Sequence, residues 1–174
     1  MEHHQLNNFI HSFQDSLPGL FDFRETLHES DFQKIYEFYK ETLSNFSDFG
    51  ISPALIYFND RRKVNAFACK RNGHCIISFD SGTIIHLIHT FKSITLKSQS
   101  DFLDKNLGVT LNELMYQTCL HFTLYHELAH LIQDSKYLIQ KLTETDEKED
   151  TYDEIRHLLE LDADQFSSVC VGAH

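Results

Sequence analysis

Residues 110–134 read TLNELMYQTCLHFTLYHELAHLIQD, and inside them His126-Glu127-Leu128-Ala129-His130 forms an HExxH motif. Thr110 with Glu113 three residues on is a capping-box pair, so the spacing predicts a helix over 110–134 with Leu114, Cys119, Phe122 and Ala129 along it. Residues four apart share a helical face, and both imidazoles can therefore reach one tetrahedral zinc ion. Glu127 points to the side where a zinc-bound water would sit, and a carboxylate there can act as general base toward that water. With twelve histidines and twelve glutamates in 174 residues, an HExxH arises by chance in about one such chain in twenty. Its surroundings must therefore carry part of the case.

A catalytic zinc usually takes three protein ligands plus water. The third is expected from a last helix over residues 155–170, whose apolar side holds Ile155, Leu158, Leu159, Phe166 and Val169. Glu160 is the expected ligand. Asp164, four residues on, shares its face and can accept the free ring N–H of a ligating histidine, fixing its tautomer. Between the helices, residues 141–154 (KLTETDEKEDTYDE) hold seven acids and two lysines, the composition of a solvated loop. Such a connector lets the last helix fold back antiparallel on the first. Tyr152 and His157 lie within about two turns of Glu160 and are candidate donors to a developing oxyanion.

Upstream, residues 1–50 are expected to be helical, most clearly where Ser30-Asp31 precedes Phe32, Ile35, Tyr36, Phe38, Tyr39 and Leu43 at spacings of three and four. Residues 54–92 are expected to form a small sheet. Ala54-Leu55-Ile56-Tyr57-Phe58 is a strand-forming run, and residues 64–70 and 74–79 flank Asn72-Gly73, the dipeptide best suited to a two-residue hairpin turn. Residues 83–92 (TIIHLIHTFK) fit a strand or a helix equally. The strand His74, Cys75, Ile76, Ile77, Ser78 and Phe79 is the candidate edge for pairing with an extended substrate. His86 and His89 make an HxxH pair with no evident third ligand.

Composition narrows the partners. An apolar content of 41% suffices for one compact domain over residues 1–174. The net charge of −11 opposes a phosphate backbone, so nucleic acid is not an expected partner. No stretch approaches the roughly 18 apolar residues of a membrane helix, and no secretory leader is evident at the start. The four cysteines, Cys69, Cys75, Cys119 and Cys170, are scattered and expected to be free thiols of a cytoplasmic protein with no membrane partner.

Taken together, HELAH and Glu160-Leu161-Asp162-Ala163-Asp164 resemble the HExxH and ExxAD motifs of gluzincin-type zinc metallopeptidases. Asn65-Ala66-Phe67-Ala68 followed by Gly73-His74-Cys75-Ile76-Ile77 is similar to the NAFA hairpin that the CAAX-prenyl-protease and HtpX heat-shock protease families place before the catalytic helix. The resemblance covers about residues 64–170. It implies a zincin-like α+β domain, with Glu160 as third zinc ligand and Asp164 supporting a histidine. Those two families are membrane proteins, so their substrates are not carried over. The phage-exclusion protease Lit and the ImmA/IrrE peptidases look closer, as short HExxH domains acting on cytosolic proteins. The expectation is a zinc endopeptidase with one Zn2+ per chain, bound by His126, His130 and Glu160, and a protein or peptide substrate. The alternative is a zincin-fold regulatory or interaction module with little turnover.

Overall fold

A computed structural model describes residues 8–10, 12, 17–46, 51, 54–92, 108–133 and 150–173. The order of elements is α1 (Glu29–Asn45), β1 (Ala54–Asn59), β2 (Ala66–Arg71), β3 (His74–Asp80), α2 (Ser81–Leu87, continued by a π-helical turn Ile88–Lys92), α3 (Leu111–Ile132) and α4 (Asp150–Gly172). The architecture is mixed α+β around one three-stranded sheet.

The hairpin forms where the sequence places it. Asn72 (φ 48°) and Gly73 (φ 77°) both occupy the left-handed region, as a primed two-residue turn demands. This turn pairs β2 antiparallel with β3, Ala66 opposite Phe79 and Arg71 opposite His74. β1 then joins β3 from the other side, in parallel, Ile56 opposite Ile77. The strand order is therefore β1-β3-β2, which corrects the expectation that His74, Cys75, Ile76, Ile77, Ser78 and Phe79 form an edge. Both ladders of that strand are occupied, and from Cys75 through Asp80 every residue is buried.

Period-two alternation sends the two faces of the sheet to two clusters. Ile56, Phe58, Cys75, Ile77 and Phe79, with Ala66 and Ala68, meet Phe32, Ile35, Tyr39 and Leu43 of α1 and Tyr116, Leu120, Leu124, Leu128 and Leu131 of α3. On the reverse face Tyr57 and Ile76 pack with Ile10, bordered by Leu17, Leu20 and Cys69. A hydrogen bond from the buried Tyr39 hydroxyl to the Leu120 carbonyl (2.9 Å) ties α1 to α3.

Helix boundaries depart from expectation in explicable ways. Within 1–50 the long helix is confined to Glu29–Asn45. Residues 17–28 are mostly irregular, because Pro18-Gly19 opens a segment that borders β1 instead, with Leu20 bridging Asn59 and the Phe21 N–H donating to the Phe58 carbonyl at 2.8 Å. The sheet ends at Asp80, so the expected 54–92 sheet is shorter by its last twelve residues. Residues 81–92 are helical, burying Ile84 and Ile88 on one face. Gly82 permits this entry, since a Cβ there would stand 2.4 Å from the Arg62 carbonyl carbon and 2.5 Å from the Lys63 oxygen. Asn59 pins the same corner, its amide donating to Ser78 Oγ (2.9 Å) and Asp80 Oδ1 (2.7 Å).

α3 starts as the capping pair predicts, Thr110 Oγ1 accepting from the Glu113 N–H at 3.1 Å. It ends at Ile132, and position 134 lies outside the described residues. α4 begins at Asp150, not near residue 155, so residues 150–154 of the expected acidic loop are helical; 141–149 lie outside the described residues. Asp153 and Glu154 sit in the first turns of α4, near the positive end of the helix dipole, which favours acids there. The four cysteines are free. Among the described residues, no helix is long and apolar enough to cross a membrane.

Candidate metal centre

The site is built where α3 and α4 pack along one another. Small residues let the helices approach, with Ala129 and Ala163 both buried. His126 and His130, one turn apart on α3, stand with their rings nearly perpendicular at 85° and both Nε2 atoms pointing inward. Their Nε2 atoms are 3.1 Å apart. Glu160 Oε2 of α4 lies 3.1 Å from His126 Nε2 and 3.5 Å from His130 Nε2.

These three distances test whether the residues fit a zinc ion. Donors about 2.0–2.1 Å from a tetrahedral centre are about 3.4 Å from one another, and the observed edges of 3.1, 3.1 and 3.5 Å match that spacing. Among the described residues, His126, His130 and Glu160 are also the group of three or more histidine, cysteine or acidic side chains close enough to share a metal ion. The arrangement lies at the surface. The two imidazoles are 20% and 23% exposed and the Glu160 side chain 54%, so one side of the cluster is open to a water or a substrate.

Asp164 is placed as its spacing from Glu160 suggested. Its Oδ1 is 2.9 Å from His126 Nδ1. A carboxylate only accepts, so His126 carries a proton on Nδ1 for Asp164, and Nε2 is the ring nitrogen turned to the cluster.

Glu127 is 6% exposed. Burial, assisted by the neighbouring Glu160 carboxylate and opposed by His126, pushes its pKa up to about 7. A carboxyl poised there both takes and returns protons at neutral pH.

The remaining expected residues are not drawn into the cluster. His157 is exposed on α4 and Tyr152 is half-buried nearer its start, with the Arg156 guanidinium 6.0 Å from its ring centre. His86 and His89 lie away from it, His89 meeting the ring of His28 edge-on at 5.5 Å. His74, Cys75, Ile76, Ile77, Ser78 and Phe79, being central in the sheet, offer no free ladder to a substrate. The strand that does is β2. Among the described residues nothing pairs with its outer side, and β2 is the strand packed most closely on α3. The Asp80 N–H donates to the Asn65 carbonyl at 3.0 Å, so the odd-numbered residues bond inward to β3. The backbone groups of Ala66, Ala68 and Lys70 point outward.

One residue escapes sequence reasoning altogether. Gln133, which terminates α3, places Oε1 3.0 Å from His130 Nδ1 and Nε2 2.9 Å from the Leu159 carbonyl and 2.8 Å from Asp162 Oδ2. Its only signal in the sequence is its position, three residues beyond His130 on the same helical face. No family model, curated protein or solved structure matches the chain.

Proposed function

We propose that the chain is a zinc-dependent endopeptidase of the gluzincin kind with a zincin-like domain, hydrolysing a peptide bond in a protein substrate. The observation that carries this reading is the spacing of His126 Nε2, His130 Nε2 and Glu160 Oε2, which fits three corners of a zinc tetrahedron and leaves the fourth open to solvent. Bound there, zinc would supply Lewis acidity toward a carbonyl and make a coordinated water acidic.

The protein's own groups supply the rest. Asp164 holds the Nδ1 proton of His126 and keeps that ring aimed at the cluster. Glu127, a residue beyond the first ligand and ionising near neutrality, receives the proton of the attacking water. It returns that proton to the departing amide nitrogen, so water is added across the C–N bond and the enzyme ends unchanged. The outward backbone groups of Ala66, Ala68 and Lys70 would align an extended peptide as an added strand beside α3. His157, three residues before Glu160 on α4, is the nearer of the two candidates for an oxyanion donor.

The test compares parent and Glu127→Gln at matched zinc content, reading new N-termini generated in a protein mixture. The parent is expected to produce them and the variant to be slower by roughly 100-fold or more. Equal cleavage by the two would remove Glu127 from the role, and no cleavage by a zinc-loaded parent would favour a binding module instead.

A further inference from the structure

Of the two inward-facing imidazoles, only His126 is backed directly by a carboxylate. His130 is backed by an amide whose orientation the structure determines. The Gln133 group facing Leu159 O (2.9 Å) and Asp162 Oδ2 (2.8 Å) must be the NH2, because both partners only accept. The amide oxygen therefore faces His130 at 3.0 Å. Since that oxygen also only accepts, the ring proton of His130 has to sit on Nδ1. Its Nε2, 3.1 Å from His126 Nε2 and 3.5 Å from Glu160 Oε2, is the ring nitrogen that faces the cluster.

We infer that Gln133 is the positioning residue that locks His130 in its metal-binding tautomer and makes this lock conditional on the docking of α4. The role rests on reading His126, His130 and Glu160 as a zinc site. Through one amide, the tautomer of a ligand on α3 is coupled to Leu159 and Asp162 of the helix that delivers the third ligand. The Asp162 carboxylate polarises the amide, so His130 receives, relayed through Gln133, the acidic backing that His126 receives directly from Asp164. Separation of α4 from α3 would withdraw Glu160 and release His130 in one event. The site is made or lost as a unit.

The test uses Gln133→Met, close in length but able neither to accept from His130 nor to donate to α4. In the zinc-free full chain at about pH 8.5, above the ordinary imidazole range, nitrogen-15 NMR should place the His130 proton on Nδ1 in the parent. In Gln133→Met it should move to Nε2, the tautomer a free imidazole prefers. Zinc affinity, measured by competition with a chelator, should fall roughly 10- to 100-fold. Combining Gln133→Glu with Asp162→Asn keeps an acceptor on His130 Nδ1 and should restore the Nδ1–H tautomer, but it sets a carboxylate oxygen against the Leu159 carbonyl and should therefore recover the affinity only in part. A helix tie with no influence on the ligand would leave the tautomer unmoved. A parent His130 protonated on Nε2, or a Met variant with unchanged tautomer and affinity, overturns the inference. Zinc bound as expected without any peptide cleavage would defeat the peptidase reading and still support the role of Gln133.

Discussion

Replacing Glu127 by Gln should stabilise the metal-free protein, and by an amount that depends on pH in a defined direction. The side chain is almost fully buried, and its pKa rises from 4.5 to about 7 chiefly through desolvation. A carboxyl whose folded pKa is raised keeps its proton in the fold over a range where the unfolded chain has already released it. The unfolded state then binds fewer protons, so stability falls as pH rises through that range. The difference between 4.5 and about 7, at about 1.4 kcal/mol for each pH unit, amounts to about 3 kcal/mol. Gln keeps the shape of the side chain and has no proton to lose. Urea unfolding of parent and variant in the presence of a chelator should show nearly equal pH dependence below about pH 4. The variant should then gain steadily, and level off about 3 kcal/mol ahead of its low-pH difference once the pH passes about 7.5. A difference that stays flat across the range would refute the burial argument for Glu127.

Other consequences follow from single contacts. Asp164→Asn should lower zinc affinity by roughly 10- to 100-fold, measured by chelator competition, because the His126 ring loses the acid at its Nδ1. Ala68→Pro should leave the melting temperature within a few degrees of the parent yet abolish cleavage, since the amide it removes faces away from β3, while Cys69→Pro removes an inward ladder donor and should lower the melting temperature sharply. Gly82→Ala should destabilise the fold by about 3 kcal/mol in urea titrations, because its Cβ would meet the Arg62 and Lys63 backbone.

Most of the site was legible in the sequence because its elements are helical, and helical spacing converts directly into geometry. His126 and His130 declare a shared face by being four apart, and Glu160 with Asp164 do the same. What linked the two helices in advance was only the resemblance to ExxAD and the length of the connector. Gln133 was invisible for a physical reason: an amide has no distinctive chemistry until its partners are known, and Leu159 O and Asp162 become its partners only when the helices cross. The hairpin is legible in the sequence, and the border of the sheet is not. Asn72-Gly73 specifies the local turn, but no local pattern says that β1 adds in parallel to the far side of β3. The uninterrupted run Cys75-Ile76-Ile77-Ser78-Phe79 held that information, since a strand covered on both faces and both sides need not alternate. The 83–92 stretch is ambiguous because isoleucines four apart suit a helix as well as β-branched residues suit a strand. The close passage of Gly82 beneath Arg62 favours the helix, and that is a tertiary contact.

The most direct measurement is X-ray absorption at the zinc edge on full-length protein loaded with one equivalent of zinc, alongside Glu160→Ala. The proposed centre predicts a first shell of nitrogen and oxygen only, at about 2.0–2.1 Å, with two imidazoles and a carboxylate contribution that disappears in the variant. Sulfur in the shell, a single imidazole, or a spectrum unchanged by loss of the Glu160 carboxylate would contradict a zinc ion bridging α3 and α4.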